Sequence, residues 1–213
     1  MADNYLEKKQ EELANKSQQK KIVRNNKSLN DLLLKNRSHR AYDTSILVSK
    51  EQLETIISVN DKIPSARNQQ ALRFKLVYEE EAQVINQNLR LGGALPELKL
   101  PTPETAPTAY IIICTTSQNL DDRFLNMDIG ISAQSMLLKA VELGLNGIMI
   151  GAFNKEELKS HFGLDLEPVL LLGIGKGMDK IQITHISPES PKTYYREKGL
   201  HFVPKIHPKE ILL

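Results

Sequence analysis

The order of elements along this chain predicts an α+β domain, or an α/β domain with a mixed sheet. Three observations carry that reading. Strand-sized apolar runs at 73–78, 110–115 and 169–174 are separated by stretches with a helical period. No strand–glycine-rich turn–helix unit stands near the start, which argues against a doubly wound dinucleotide-binding sheet. At 213 residues the chain is long enough for one well-buried domain and short for two.

Residues 1–28 read as a charged N-terminal helical extension, and residues 29–213 as the domain. The first 30 residues lack Pro and Gly and carry seven basic against four acidic side chains. Their sparse apolar residues predict a solvated helix lying on the body or on a partner subunit, with a nucleic-acid arm as the alternative. Ser28-Leu29-Asn30-Asp31 offers an N-cap for a helix over 29–36. Ser49-Lys50-Glu51-Gln52 is a capping box opening a helix to about residue 59. A loop at 61–70 and a strand at 73–78 follow, then a helix over 79–90. Residues 92–108 hold two glycines and four prolines and read as a long loop, of a length that often serves as a lid. A buried strand is expected at 110–115.

The best helix spans 126–143. Ile129, Ala133, Met136, Leu137, Ala140 and Val141 fall on one face, and Gly144 stops it. Phe124, just before it, reads as core. A short extended stretch covers 147–153, and Asn154 caps another helix. After the buried strand at 169–174, the run Gly173-Ile174-Gly175-Lys176-Gly177 lacks the spacing of a phosphate loop and reads as a strand-ending turn. Residues 181–186 read as an edge strand.

Composition excludes several classes. A formal charge of +2, with 40% hydrophobic and 25% charged residues, gives no basic face for nucleic acid. The polar start is unlike a signal peptide, and no apolar run nears the roughly 20 residues of a membrane span. Cys114 is the single cysteine, so a reducing cytoplasm is the expected location, with no membrane partner. No metal-ligating set is read.

Four segments carry the chemistry. Arg37, Ser38 and Arg40 put forked cations and a short hydroxyl donor on one turn. Pro64-Ser65-Ala66-Arg67-Asn68-Gln69-Gln70 packs neutral donors and acceptors in front of a strand, a cradle for a flat, heteroatom-rich ligand. The helix from Asp128 places Gly130, Ser132 and Ala133 where another backbone can come close. Gly144-Leu145-Asn146-Gly147-Ile148-Met149-Ile150-Gly151 is apolar backbone able to pass near a ring system. Each has an ordinary structural reading too: a solvated turn, a polar turn, helix packing and a core strand.

Taken together and in order, these segments resemble the FMN-dependent nitroreductases over about residues 29–213. The Arg-x-Ser-x-Arg-like start, the Pro-Ser-Ala-x-Asn-x-Gln loop, the Asp-x-Gly-x-x-x-Gln-x-x-Leu-Leu helix and the Leu-Gly-Leu-x-Gly segment carry the likeness. Tyr194-Tyr195-Arg196 and His201-Phe202-Val203-Pro204-Lys205 look like the branch ending in His-x-Val-Pro-Lys. The resemblance implies an α+β fold with a central mixed, mostly antiparallel sheet flanked by helices, and FMN at a homodimer interface. It implies that Arg37, Ser38 and Arg40 reach the flavin, and that Pro64, Ser65, Ala66, Asn68 and Gln70 reach it from the other subunit. Met149, Ile150 and Gly151 would pass over the ring, and Lys205 would lie near the phosphate.

The implied reaction passes hydride from NADH or NADPH to flavin N5, then electrons to a small-molecule acceptor (a nitro compound, quinone or enone) in a ping-pong cycle. No side chain acts as acid or base; Arg40 is the expected electrostatic stabiliser of reduced flavin. Asn36 and Ile206 depart from the family's cations, which predicts weaker FMN retention. They leave open a flavin storage or sensing protein with little turnover.

Overall fold

The computed structural model describes residues 27–93 and 99–213. The expected helix of the extension, and residues 94–98 of the long loop, lie outside the described residues. Helix α1 (Leu29–Lys35) starts where expected: the Ser28 hydroxyl accepts from the Asp31 N–H, and the Asp31 carboxylate accepts from the Ser28 N–H. Strand β1 (Tyr42–Asp43) is short. Helix α2 (Lys50–Ile57) opens with the same reciprocal cap between Ser49 and Gln52, and runs into a 3-10 turn at Ser58–Asp61. A second 3-10 turn, Ala66–Asn68, precedes β2 (Leu72–Tyr78).

Helix α3 (Glu81–Gln87) is shorter than its sequence window. Glu79 has a positive φ of 55°, and Leu89 and Leu91 are drawn into bridges with Phe153 and Leu100. Strand β3 (Ala109–Thr115) is buried along its whole length. Helix α4 (Arg123–Glu142) begins earlier than its apolar period because the Asp122 carboxylate accepts from the Phe124 N–H at 2.9 Å. Its buried face carries Asp128 and Ser132 beside the expected apolar residues, while Ile129 is half-buried. Gly144 ends it with a φ of +84°. Strand β4 (Asn146–Ile150), helix α5 (Lys155–His161) and strand β5 (Glu167–Gly177) follow.

Among the described residues the five strands of the central sheet all pair antiparallel, where a mixed, mostly antiparallel sheet was expected; a parallel element joins it only as the isolated bridge of Ser38 to Gly147. Strand β5 pairs with β1, β3 and β4, and β3 pairs in turn with β2. Parallel pairing occurs instead in a second sheet, between β6 (Lys180–Ile186) and β8 (Leu200–Ile206). There β8 also pairs antiparallel with β7 (Tyr195–Glu197). Strand β6 is an edge, as its position in the order β6-β8-β7 requires.

Alternation along β3 builds the two halves of the core. Tyr110, Ile112 and Cys114 join Ala82, Ile85 and Leu158 from α3 and α5. Ala109, Ile111 and Ile113 join Leu53, Ile56, Ala133, Met136 and Ala140 from α2 and α4. Each fully buried isoleucine contributes about 1.5–3 kcal/mol of apolar burial. Cys114 is packed in this core with its thiol pKa pushed up to about 11 by burial, so it is an inert thiol.

The glycine run at 173–177 is strand, not a strand-ending turn. Each glycine lies under a crossing side chain. A Cβ on Gly173 would stand 2.9 Å from Pro107, one on Gly175 would stand 2.8 Å from Tyr42, and one on Gly177 would overlap the His39 imidazole. Close approach, rather than turn conformation, accounts for the pattern. Among the described residues no helix is long and apolar enough to cross a membrane.

Candidate functional site

Beyond α1 the chain leaves the helix at Asn36, whose side-chain amide donates to Gln134 Oε1 of α4 at 3.2 Å. Ser38 bridges to Gly147, and the His39 N–H donates to the Gly147 carbonyl at 3.3 Å. A side chain on Gly147 would stand 2.9 Å from the Gly173 carbonyl and collide with Leu137, so this approach requires glycine. The bridge fixes Arg37, Ser38 and Arg40 against the start of β4.

Arg40 is held on several sides. The Asp179 carboxylate accepts from the main-chain N–H groups of Arg40 at 2.6 Å and Ala41 at 3.0 Å, and from the Arg196 guanidinium at 2.7 Å. Arg40 Nη1 donates to the Ser38 carbonyl at 3.0 Å, and its guanidinium stacks 4.5 Å from the centre of the Tyr194 ring. Tyr194 in turn lies 5.2 Å from the His201 ring. Arg40 Nε and His201 Nδ1 are buried without a hydrogen-bond partner among the described residues.

These groups wall a cavity of about 350 Å³. Arg37, Ser38, Arg40, Met149 and Lys205 line it, as does Gln134. The face of β8 formed by His201, Val203 and Lys205 closes one side. Burial lowers the Arg37 pKa, and a guanidinium keeps its charge all the same. Burial also holds the His39 and His201 imidazoles below their ordinary value, with Asp179 acting in the opposite direction on both. The cavity is therefore cationic, from arginine and lysine, with a neutral histidine in its wall.

A second cavity, of about 270 Å³, lies at the 64–70 loop. Pro64, Ser65, Asn68 and Gln70 line it together with Asp128 and Ser132 of α4. The loop is strained: Arg67, Asn68 and Gln70 have φ of 52°, 53° and 48°. Its fastenings are specific. Both Asp128 carboxylate oxygens accept from the Ala66 N–H, at 2.8 and 3.1 Å. Ser65 Oγ accepts from the Gln70 N–H, and the Gln70 amide donates to Asn68 Oδ1. Arg73 caps the Gln70 carbonyl at 2.9 Å. Phe124, expected in the core, is only half-buried and lies beside the loop, with Arg67 5.6 Å and Arg123 4.7 Å from its ring centre.

The expected site residues thus divide into two groups lying along different sides of α4. Gln134 and Leu137 border the first cavity, and Asp128 and Ser132 the second. Ala66 lines neither, since its N–H is committed to Asp128. Ile150 is buried in the core, and Gly151 is exposed just past β4. Sequence reasoning missed Asp179, which belongs to no local pattern, and it placed Gln134 in the Asp-x-Gly-x-x-x-Gln helix pattern without giving it a role in the site. It quoted Tyr194 and His201 but gave them no role.

A family model described as the nitroreductase family matches residues 33–176, more than half of the chain. The chain is similar to the candidate NAD(P)H nitroreductase YodC of Bacillus subtilis, with 26% identity over 70% of this chain and 89% of that protein. A nitroreductase family protein from Clostridium difficile 630 superposes with a TM-score of 0.54 at 25% identity, covering 76% of this chain and 87% of its own. A candidate nitroreductase from Exiguobacterium sibiricum 255-15, solved in complex with FMN, superposes with a TM-score of 0.57 at 22% identity. That alignment covers 71% of this chain and 89% of the other.

Proposed function

The chain belongs to the nitroreductase family, and on that footing we propose that it is an FMN-dependent NAD(P)H oxidoreductase. It takes electrons from NADH or NADPH and passes them to a small acceptor, a nitro compound, quinone or enone, in a ping-pong cycle. It works as a homodimer in the cytoplasm.

The observation that carries the reading is the pair of buried, unpaired nitrogens on Arg40 and His201. They belong to residues of a cavity that also holds Arg37 and Lys205. Buried polar atoms are normally satisfied, so orphaned ones beside cations fit an anionic, heteroatom-rich ligand. The cavity volume suits a mononucleotide. FMN, when bound, supplies hydride chemistry at its ring N5. The protein's residues bind and orient. Arg37 and Lys205 meet the phosphate, Ser38 adds a donor, and Arg40, locked by Asp179 and Tyr194, presents a fixed cation to the pyrimidine edge. Asn68 and Gln70 offer neutral amides from the second cavity.

Two half-sites on different sides of α4 support a site shared between two copies of the chain. So does the exposure of Leu29, Leu33 and Leu34 on α1 and of Met127 and Ile131 on α4. A flavin-binding protein with little turnover is the second reading, favoured by Asn36, whose neutral side chain is tied to Gln134 in the first cavity.

The visible spectrum of the purified protein, reconstituted with FMN, tests the proposal. Twin flavin bands that bleach with NADH or NADPH under anaerobic conditions, and return on adding menadione or a nitrofuran, are expected. A protein that takes up no FMN rejects the reading, and bleaching without turnover favours the second one.

A further inference from the structure

Asn36 ends helix α1 and is 8% exposed. Its side-chain Nδ2 donates to Gln134 Oε1 at 3.2 Å, across 98 positions of sequence. Gln134 stands exposed on α4, and both amides line the first cavity. Arg37 Nε donates to the Asn36 carbonyl at 2.7 Å, and Arg40 Nη1 donates to the Ser38 carbonyl at 3.0 Å. The amide pair is therefore held beside the Arg37 guanidinium, on the turn that leads to Arg40.

Two primary amides joined by one hydrogen bond keep a fixed remainder. The donating amide retains its oxygen, and the accepting amide retains its NH2. Here these are Asn36 Oδ1 and Gln134 Nε2, and exchanging the roles of the two amides again leaves one acceptor and one donor. An alcohol both donates and accepts, so it satisfies such a pair. An ionised phosphate oxygen only accepts, and it leaves the amide oxygen unanswered. The cavity thus sets a reader of hydroxyl groups next to the cation suited to phosphate.

We propose that the Asn36–Gln134 amide pair reads the hydroxylated chain of the ligand, holding one alcohol between a phosphate end at Arg37 and a ring edge at Arg40. This inference rests on the flavin reading, in which that chain is the sugar alcohol of FMN. It gives Asn36 a role of its own: its neutral amide exchanges some phosphate affinity for recognition of the chain.

The test is equilibrium dialysis of the full-length protein, freed of bound flavin, against FMN, riboflavin and lumiflavin. Lumiflavin carries the ring and lacks the hydroxylated chain. Gln134→Met keeps side-chain length and helix propensity and removes the amide. Expected is binding weaker by about three- to tenfold for FMN and riboflavin alike, the worth of one ordinary hydrogen bond, with lumiflavin unchanged. Asn36→Ala should give the same pattern and serves if the first variant does not fold. The double variant should lose less than the sum of the two, because the amides act as a unit. An equal loss for all three ligands marks the pair as a structural tie and overturns the proposal. Unchanged riboflavin binding in Gln134→Met overturns it too. Both results leave the flavin reading standing, since the unmodified protein still binds FMN. Binding of none of the three ligands by the unmodified protein rejects the flavin reading itself, and the proposal with it.

Discussion

The Ala66 N–H donates to both carboxylate oxygens of Asp128, at 2.8 and 3.1 Å. This pair joins the polar loop to the long helix across 62 residues of sequence. Two segments that look independent in the chain are one piece of structure. Ser132, one turn further along the helix, donates to Asn60 Oδ1 at 2.6 Å and pins the loop's entrance.

Asp128→Ala should therefore loosen the 64–70 loop. A buried carboxylate bonded to an amide is worth about 1.5–3 kcal/mol, and its removal also releases three residues from positive φ. Chemical denaturation should show a loss of that order, with faster proteolytic cleavage at the loop. An unchanged denaturation midpoint would show that the loop holds itself.

Asn68 is the residue whose amide is expected to meet the flavin, but it lies at φ 53°. Asn68→Leu removes the amide and also places a branched side chain in the left-handed region, which costs about 1–2 kcal/mol. Asn68→Gly removes the amide, and with it the exposed bond from Gln70, without adding backbone strain. Its stability should hold, while FMN affinity falls by about three- to tenfold, the worth of one ordinary hydrogen bond. Unaltered FMN affinity in Asn68→Gly would remove this loop from the site.

On the proposed reading, Arg40→Ala should slow reduction by NADH at least about tenfold, because it deletes the preorganised cation assigned to the developing flavin charge. Lys50→Ala, at an exposed pair with Glu54, is the control and should leave the rate alone. Stopped-flow absorbance with excess FMN separates rate from retention. Equal reduction rates in the two variants would reject the role given to Arg40.

His39 and His201 should make stability depend on pH in a narrow window. Both have folded values lowered below the ordinary 6.5, chiefly by burial. Between the lowered value and 6.5 the unfolded chain binds more protons, so stability is full above about 6.5 and is lost as pH falls through the window. Each histidine contributes a slope of at most about 1.4 kcal/mol per pH unit. The carboxylates with lowered values, Asp31, Asp43 and Glu51, start from 3.8 to 4.5 and act only in stronger acid. Thermal unfolding of the protein without added ligand, followed from pH ~7 to ~5, should show this decline, and a shallower one in His39→Asn. A flat profile over that range would contradict the burial argument.

Local signals were enough for α1, α2 and α5, because a cap and an apolar period are properties of neighbouring residues. They were also enough for β3, whose buried run has no alternative. They failed at Gly173–177, where the spacing of glycines reflects Pro107, Tyr42 and His39 crossing from elsewhere. They overran α3, whose end is set by bridges to residues 100 and 153. Strands β7 and β8 went unread, since β8 pairs parallel with β6 across about twenty positions of sequence, which no local pattern displays.

By itself the sequence determined the residue types at the site, the order of its four segments and their likeness to one family, because these are patterns along the chain. Only the tertiary structure decided that Arg37, Arg40 and Lys205 share one cavity and that Ser65, Asn68 and Gln70 line another. The partners that set Arg40 and His201, namely Asp179, Arg196 and Tyr194, also emerged only there. The reason is physical: a charge's environment depends on what the fold brings within a few ångströms, and for Arg40 those groups lie more than a hundred residues further along the chain.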